Sequence, residues 1–365
     1  MKIELICGSC HRHYLPSEHL WRCICGGFLS LDFHARFPLK EIEKRKPTLW
    51  RYREALPILN DNNIISFNEG FTPLVEEQLF GKKVMLKQDH LFPSGSFKDR
   101  GASVLISKIK ELGIKKVVED SSGNAGAAIA AYCAKAHIAC HIYVPEKTSA
   151  EKLRQIERYG AHLYKIHGTR EDTAQAVLKG AQTTYYASHY YNPYFFHGTK
   201  TFIFETVEQL GWMTPDVLLI PVGNGTLLYG CYIGLKELQK ENIIHKIPKI
   251  IGIQAQNCAP LKDALKKSNT FDKSRRIKNT IAEGIAIERP MRIKEIIYAI
   301  KETNGDIISV NEKEILHALD VSFQKGYCIE PTSAVAIAGL KKYPTKQKEI
   351  IVLPLTGHGL KTLRK

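Results

Sequence analysis

The sequence predicts an α/β protein with two open, twisted, mainly parallel sheets and a small Cys-rich unit at its N-terminus. Three observations predict this class. The chain has 365 residues, more than one hydrophobic core ordinarily serves, so two α/β domains are expected. From residue 84 onward, short and nearly continuous apolar runs alternate with helical patterns, as in sheets covered on both faces. Cys, His and Gly are concentrated in residues 1–34.

The apolar runs are the expected strands, and the helical patterns lie between them. Strands are predicted at residues 83–86, 116–118, 139–144, 217–220, 249–253 and 350–354. Helices are predicted from Ser149 to Tyr159, from Thr199 to Leu210, and in a third segment that ends near Lys240. In such structures ligands bind beyond the carboxyl ends of the strands, so the loops that follow them should carry the chemistry.

Composition and charge narrow the possible functions. With 44% hydrophobic and 24% charged residues, the chain is not disordered, collagen-like or coiled-coil. Lys and Arg exceed Asp and Glu by 15 (52 against 37), which is compatible with nucleic acid, an anionic membrane surface, anionic metabolites or simply a basic solvated surface. Nine cysteines are too few for a disulfide scaffold, and no apolar stretch is long enough to span a membrane. A cytoplasmic protein is therefore expected.

Lys98 follows a turn of small residues and begins an apolar helical pattern. Near a helix N-terminus the ammonium form of a lysine is disfavoured and the neutral amine is favoured. A neutral amine can form a Schiff base or act as a general base. A surface lysine at a helix start is the plainer reading, and the physics of the chain alone favours it.

Two glycine-containing loops also follow predicted strands. In the loop 121–126, free backbone N–H groups can hold an anion such as a carboxylate, and the Asn124 amide can donate to an oxygen. The loop 223–227 precedes a helix and has the pattern of a phosphate cradle, although it is neither a Walker loop nor a dinucleotide fingerprint. Taken singly, each loop is equally explained as a tight turn in which glycine permits close packing.

Together, the three loops resemble the fold-type-II enzymes that use pyridoxal 5′-phosphate. Within that family, Ser96–Gly101 and Leu355–Lys361 look most like threonine synthase, and the resemblance covers about residues 60–365. It implies a large cofactor-binding domain of residues 35–100 plus 200–365 and a small α/β domain of residues 101–199. The active site is then expected in the cleft between these two domains.

The resemblance also implies a role for each residue that matches the family motifs. Lys98 forms the Schiff base with the cofactor and moves protons at the substrate, Asn124 hydrogen-bonds the phenolic oxygen, and Thr356 hydrogen-bonds the pyridine nitrogen. Backbone N–H groups of one loop are expected to hold the cofactor phosphate: Gly223, Asn224, Gly225, Thr226 and Leu227. The residues expected to bind the substrate are Ser121, Ser122, Gly123, Asn192 and Lys200.

The segment 189–201 departs from the threonine synthase pattern. Asn192 and Lys200 match it, but Phe195 stands where an Arg usually faces the substrate phosphate. Arg–phosphate pairs are among the strong charge-assisted contacts, so this loss matters. Either Lys200, His189 and a nearby base replace the Arg, or the substrate is not O-phosphohomoserine.

The resemblance implies an amino-acid substrate and a lyase that makes threonine and phosphate from O-phospho-L-homoserine and water. A serine/threonine dehydratase-like enzyme, or another β-elimination or β-replacement enzyme, is the alternative, because residues 280–286 are closer in wording to dehydratases. A non-catalytic binding protein that uses the basic surface is a third possibility, which the intact motifs argue against. The prediction includes no nucleic-acid or membrane partner and leaves a homodimer open.

The N-terminal cysteines have spacings that suit a metal site. The pairs Cys7-x-x-Cys10 and Cys23-x-Cys25 are expected to form a zinc-ribbon-like unit over residues 1–34, with tetrahedral zinc as the ion. The second pair is one residue shorter than the common Cys-x-x-Cys, and a ribbon that keeps its cysteines without metal is the alternative.

Overall fold

The computed structural model describes residues 2–266 and 277–362, which fall into two compact units. One unit is made of Met1–Glu69 and Lys98–Thr199, and the other of Gly70–Phe97 and Lys200–Lys365. This grouping places residues 35–69 with the N-terminal half, where the sequence analysis expected them in the large domain. The reason is packing on one helix: Leu49 and Leu56 cluster with Val104.

Strands and helices alternate through most of the chain. The strands are β1 (Ile3–Cys7), β2 (His13–Tyr14), β3 (Leu29–Phe33), β4 (Leu74–Leu79), β5 (Lys82–Lys87), β6 (Lys116–Glu119), β7 (Ala139–Pro145), β8 (His162–Ile166), β9 (Tyr185–Tyr186), β10 (Val217–Pro221), β11 (Lys249–Ala255), β12 (Asp306–Val310) and β13 (Ile351–Pro354).

The helices lie mostly between successive parallel strands. They are α1 (Leu39–Lys44), α2 (Lys98–Glu111), α3 (Asn124–Ala136), α4 (Ala150–Arg158), α5 (Arg170–Gly180), α6 (Pro193–Thr199), α7 (Thr201–Gln209), α8 (Thr226–Lys240), α9 (Pro260–Lys266), α10 (Ile293–Glu302), α11 (Glu312–Gln324) and α12 (Pro331–Lys342).

The first unit contains a four-stranded sheet in the order β8-β7-β6-β9, and all its pairings are parallel. Helices α2 and α3 supply much of its core, since both are buried along most of their length. Helix α3 is rich in alanine, which lets α2 and α3 pack closely. A separate antiparallel sheet, in the order β2-β1-β3, is formed by the first 33 residues.

The second unit contains a six-stranded sheet in the order β12-β11-β10-β13-β5-β4. Every pairing is parallel except that of β4 with β5. Every residue of β10 and β13 is buried, as expected for central strands covered on both faces. The prediction of α/β architecture with mainly parallel sheets is therefore confirmed.

The adjacent strands β10, β13 and β5 determine where the loops of the second unit meet. Because parallel strands end at the same edge, the loops after these three strands lie side by side. They are residues 88–97 after β5, residues 222–225 after β10 and residues 355–358 after β13. The loops after β10 and β13 contain predicted phosphate-binding residues and Thr356, respectively.

The predicted helix from Thr199 to Leu210 is in fact the end of one helix and the whole of the next. Helix α6 ends at Thr199, Lys200 is the N-cap residue of α7, and α7 ends at Gln209. Gly211 follows with a φ of +71°, the left-handed conformation that favours glycine at a helix end. In the described ranges, no helix is both long and apolar enough to cross a bilayer.

Candidate active site

Lys98 is the first residue of α2 and is partly buried. Its Nζ lies 5.7 Å from the centre of the Phe195 ring. That ring packs against Gly101 so closely that a Cβ at Gly101 would come within 2.4 Å of it. Glycine at this position therefore lets α6 approach the first turn of α2, and the two helices together fix the surroundings of the lysine.

Within the second unit, residues 94–97, which lead directly into Lys98, pair with the loop after β13. The Phe97 N–H donates to the Thr356 carbonyl oxygen at 3.0 Å, and the His358 N–H donates to the Gly95 carbonyl oxygen at 2.9 Å. The Thr356 loop thus holds the chain immediately before the predicted catalytic lysine.

The Thr356 side chain is buried and held by α12. Its hydroxyl lies 2.9 Å from the Ser333 hydroxyl, which also accepts a hydrogen bond from the Gly357 N–H at 2.9 Å. Gly357 is required at this point, since a Cβ there would lie 2.3 Å from the Glu330 carboxyl group. No role was predicted for Ser333 from the sequence.

The predicted carboxylate loop connects β6 to α3. Gly126 lies in the first turn of α3, where a Cβ would come within 1.9 Å of the Ser121 carbonyl oxygen. Glycine therefore lets the helix start fold back on the loop. Gly123 is exposed, whereas Ser121, Ser122 and Asn124 are partly buried, so this helix start is open to a ligand.

The predicted phosphate loop connects β10 to α8. Gly225 is the N-cap of α8 with a φ of +72°, and a Cβ there would lie 2.4 Å from Ile296. Gly223 also has little space, since a Cβ there would come within 2.9 Å of the Ile285 Cα. Close packing therefore restricts the backbone conformation of the loop. The loop ends at the N-terminus of the 15-residue helix α8, where the first N–H groups have no partner within the helix.

The two remaining predicted substrate-binding residues are buried and have protein partners. The Asn192 amide donates to the Tyr185 hydroxyl at 2.8 Å, and its carbonyl oxygen accepts from the Tyr194 N–H. Lys200 Nζ lies 2.8 Å from a Glu237 carboxylate oxygen. Burial lowers the pKa of Lys200 to about 8, although the charge of Glu237 acts to raise it. Their role as substrate ligands stays a prediction.

Phe195, which replaces the expected Arg, is fully buried in α6. It contacts Gly101 and lies 6.1 Å from the His189 ring, measured between ring centres. His189 was one of the proposed replacements for the Arg. Because burial lowers its pKa well below the usual range, it is a neutral imidazole and does not supply the missing charge.

A buried polar cluster at the end of β6 was missed by the sequence analysis. The Glu119 carboxylate contacts His189 Nδ1 at 2.8 Å, and Asp120 accepts hydrogen bonds from the hydroxyls of Tyr186 (2.7 Å) and Tyr190 (3.2 Å). Burial raises the pKa of Glu119 to about 7. Burial and the neighbouring charge of Glu119 raise the pKa of Asp120 to about 6. The sequence feature that could have indicated this cluster is the pair of acidic residues directly after the apolar run 116–118.

The four N-terminal cysteines come together although their second spacing is short. Cys7 and Cys25 have their sulfur atoms 3.6 Å apart, those of Cys10 and Cys23 are 3.5 Å apart, and all four lie within 4.8 Å of one another. The tight turn after Cys25 makes this possible, because Gly26 has a φ of +84°.

Comparison with known proteins gives the family. Residues 65–357 match the family model described as pyridoxal-phosphate dependent enzyme. The chain belongs to this family. It is 34% identical to a threonine synthase of Methanocaldococcus jannaschii, over 97% of this chain and 92% of that protein. It is 35% identical to a threonine synthase of Halalkalibacterium halodurans, over 86% and 89%.

A solved structure with a similar fold is a serine racemase of Dictyostelium discoideum. It has a TM-score of 0.68 and 26% identity, and the alignment covers 88% of this chain and all of that one. The comparison supports the expected fold type, and with it an enzyme of pyridoxal-phosphate chemistry rather than a binding protein.

The residues present fit the cofactor of this family. The glycine loop before α8 is the kind of backbone cradle that holds a phosphate, and no side chain larger than glycine fits at residues 223 and 225. The Ser96 hydroxyl, two residues before Lys98, is fully buried and has no hydrogen-bond partner among the described residues. Taken by itself, the second unit offers a phosphate cradle and a buried hydroxyl, and the first unit offers a lysine amine and an amide, which are the kinds of group that a pyridine ring carrying a phosphate requires.

Proposed function

We propose that the protein is a threonine synthase, a pyridoxal-phosphate-dependent lyase that converts O-phospho-L-homoserine and water to L-threonine and phosphate. The observation that carries the proposal is the 34% identity to a threonine synthase over 97% of this chain. Similarity of that extent includes both compact units and the N-terminal sheet, so it is not confined to a shared cofactor motif.

The cofactor, when bound, withdraws electrons from the amino acid and so acidifies the protons on its α and β carbons. In the proposal, the chain's own residues bind, orient and move those protons. Lys98 Nζ holds the cofactor and then accepts and returns protons at the two carbons. Asn124 donates to the phenolic oxygen, and the backbone N–H groups of residues 223–227 hold the phosphate.

The pyridine nitrogen is assigned to Thr356 in this proposal. The Ser333 hydroxyl at 2.9 Å supports the assignment, because it orients the Thr356 side chain. A neutral hydroxyl stabilises a protonated ring less than a carboxylate would, which makes the ring a weaker electron sink. Such a ring favours elimination and replacement, the class of reaction proposed here.

Backbone N–H groups of residues 121–123 are the proposed site for the substrate carboxylate. They lie at the N-terminus of the 13-residue helix α3, where the helix dipole favours an anion. The partial exposure of this loop supports access by a substrate.

A dehydratase-like activity on threonine or serine is the second candidate. The buried Phe195 favours it, because the side chain at this position contributes no charge to a substrate phosphate. The segment 280–286 adds weight, because its sequence is closer to dehydratases and its Ile285 packs against Gly223 in the proposed phosphate loop.

A substrate panel separates the two candidates. Purified holoenzyme is supplied with O-phosphohomoserine, threonine or serine, and phosphate, threonine and 2-oxo acids are measured. Equal amounts of phosphate and threonine from O-phosphohomoserine are expected. Formation of a 2-oxo acid from threonine or serine, with no phosphate released from O-phosphohomoserine, would contradict the threonine synthase assignment and support the dehydratase.

We further propose that Cys7, Cys10, Cys23 and Cys25 form a zinc ribbon with the sheet of β1, β2 and β3. A Zn–S distance of about 2.3 Å in a tetrahedron sets neighbouring sulfur atoms about 3.8 Å apart. The two closest pairs, at 3.5 and 3.6 Å, are near that value without any rearrangement. Free thiols in a metal site suit the reducing cytoplasm, which is the proposed location.

Substitution of Cys7 by serine is expected to remove about one zinc per chain and to lower the melting temperature. Cys7 is the last residue of β1, is fully buried and pairs with Leu29 of β3, so losing the ion leaves the other cysteines without the group that joins them. Elemental analysis and thermal unfolding measure both effects, and Cys328→Ser, outside the cluster, is the matched control. Wild-type protein that contains no zinc after purification with zinc present contradicts the proposal.

A further inference from the structure

The end of β6 carries an unusual buried cluster, formed by Glu119, Asp120 and His189. All three side chains are almost fully buried, and two adjacent carboxylates in a protein interior are costly unless each is compensated. The two tyrosine hydroxyls compensate Asp120. Glu119 has the backbone N–H of Asp120 at 2.9 Å and His189 at 2.8 Å.

A continuous set of contacts leads from this cluster to Lys98. The Glu119 carboxylate contacts His189, the His189 ring lies 6.1 Å from the Phe195 ring, and Lys98 Nζ lies 5.7 Å from that same ring. A positive charge on Lys98 lowers the pKa of both Glu119 and His189. Interactions of this kind are reciprocal, so a negative charge on Glu119 favours the protonated state of the nitrogen of Lys98.

The groups that act on this pair come from several elements. Asp120 follows it on the chain, Arg170 begins α5, Tyr186 belongs to β9, Tyr190 precedes α6, and Lys98 begins α2. Arg170 is exposed, and the tyrosines are neutral because burial raises their pKa well above the usual value. Of the two cations that act on Glu119, Arg170 acts more strongly but is exposed to solvent, and Lys98 is the partly buried one.

We propose that Glu119 and His189 are a pair of positioning residues that set the protonation state of the Lys98 nitrogen in the holoenzyme. In this proposal Nδ1 of His189, 2.8 Å from the Glu119 carboxyl group, carries the ring proton and donates a hydrogen bond to the carboxylate. Burial favours the neutral acid, so this donor is what helps Glu119 to keep a negative charge in a water-poor region. The inference rests on the family's cofactor chemistry and on the proposed role of Lys98, not on which amino acid is the substrate.

The test follows the absorbance of the bound cofactor against pH, without substrate. In Glu119→Gln, which keeps the size and the hydrogen bond but removes the charge, the midpoint of the absorbance change is expected to fall by about half a pH unit or more. His189→Leu is expected to shift it in the same direction, because the carboxylate loses its donor.

Asp120→Asn is the matched control, because it removes the same charge from the adjacent residue of the same buried cluster. The groups that act most strongly on Asp120 are Glu119, Arg170, His189 and Tyr186, and Lys98 is not among them. Its midpoint should stay near that of the wild type. Identical curves for wild type and Glu119→Gln, or an equal shift in Asp120→Asn, would overturn the proposal. If Glu119→Gln fails to fold, His189→Leu decides by the same criterion.

Because the measurement uses no substrate, its failure is distinct from that of the proposed function. A holoenzyme that makes no threonine but shows the shift retains the pair's role and loses the substrate assignment. A holoenzyme that makes threonine but shows no shift retains the substrate assignment, and the proposed role of the Glu119–His189 pair is then wrong.

Discussion

Replacing Lys98 with alanine is expected to abolish the cofactor's absorbance band at about 410 nm and to reduce activity by about 10³-fold or more. Both effects have one cause. The Nζ group is the covalent attachment point in the proposed function and also the group that moves protons at the substrate. Removal of the side chain eliminates both roles, whereas loss of a positioning residue would weaken only one of them.

Helix α2 offers a matched control for this substitution. Lys110 is exposed near the end of the same helix, with only a long contact of 3.4 Å to the Asn62 carbonyl oxygen. Lys110→Ala should keep the absorbance band and the activity within about two-fold, since an exposed helix position contributes little. Absorbance spectra of the two purified variants, taken at equal protein concentration, make the comparison. An undiminished band in Lys98→Ala would mean that another lysine carries the cofactor.

The sheets could be predicted because their strands are marked by composition. The runs that became β10, β11 and β13 are apolar and rich in β-branched residues, and they form buried parallel strands. Strand β8 is half-exposed and carries two charged or polar residues among five, and so it has no such run. Periodicity detects burial, and an edge strand of this kind has little of it.

The candidate site was predictable where backbone geometry demands a particular residue. Gly223, Gly225 and Gly126 are positions at which a Cβ would collide with neighbouring atoms, so the glycines marked the loops. Ser333 and His189 carry no such mark. Their partners, Thr356 and Glu119, are 23 and 70 residues away along the chain, and only the folded sheet brings them within hydrogen-bond distance.

Phe195→Arg, which restores the residue expected at this position, should destabilise the protein by about 4 kcal/mol or more instead of improving phosphate binding. The Phe195 ring is fully buried and fills the space that Gly101 leaves on α2. An Arg there loses this packing and buries a guanidinium group. It also adds a positive charge near Lys98, whose Nζ is 5.7 Å from the ring centre.

Urea unfolding of Phe195→Arg and Phe195→Leu measures the effect, with phosphate affinity followed in parallel. The leucine variant keeps the position apolar and should lose only about 1–2 kcal/mol, so the difference between the two isolates the cost of the buried charge. An arginine variant that keeps wild-type stability and binds phosphate more tightly would show that residue 195 can turn toward the substrate. If the arginine variant is destabilised as expected, residue 195 serves to pack α6 against α2. A substrate phosphate must then be bound by other groups.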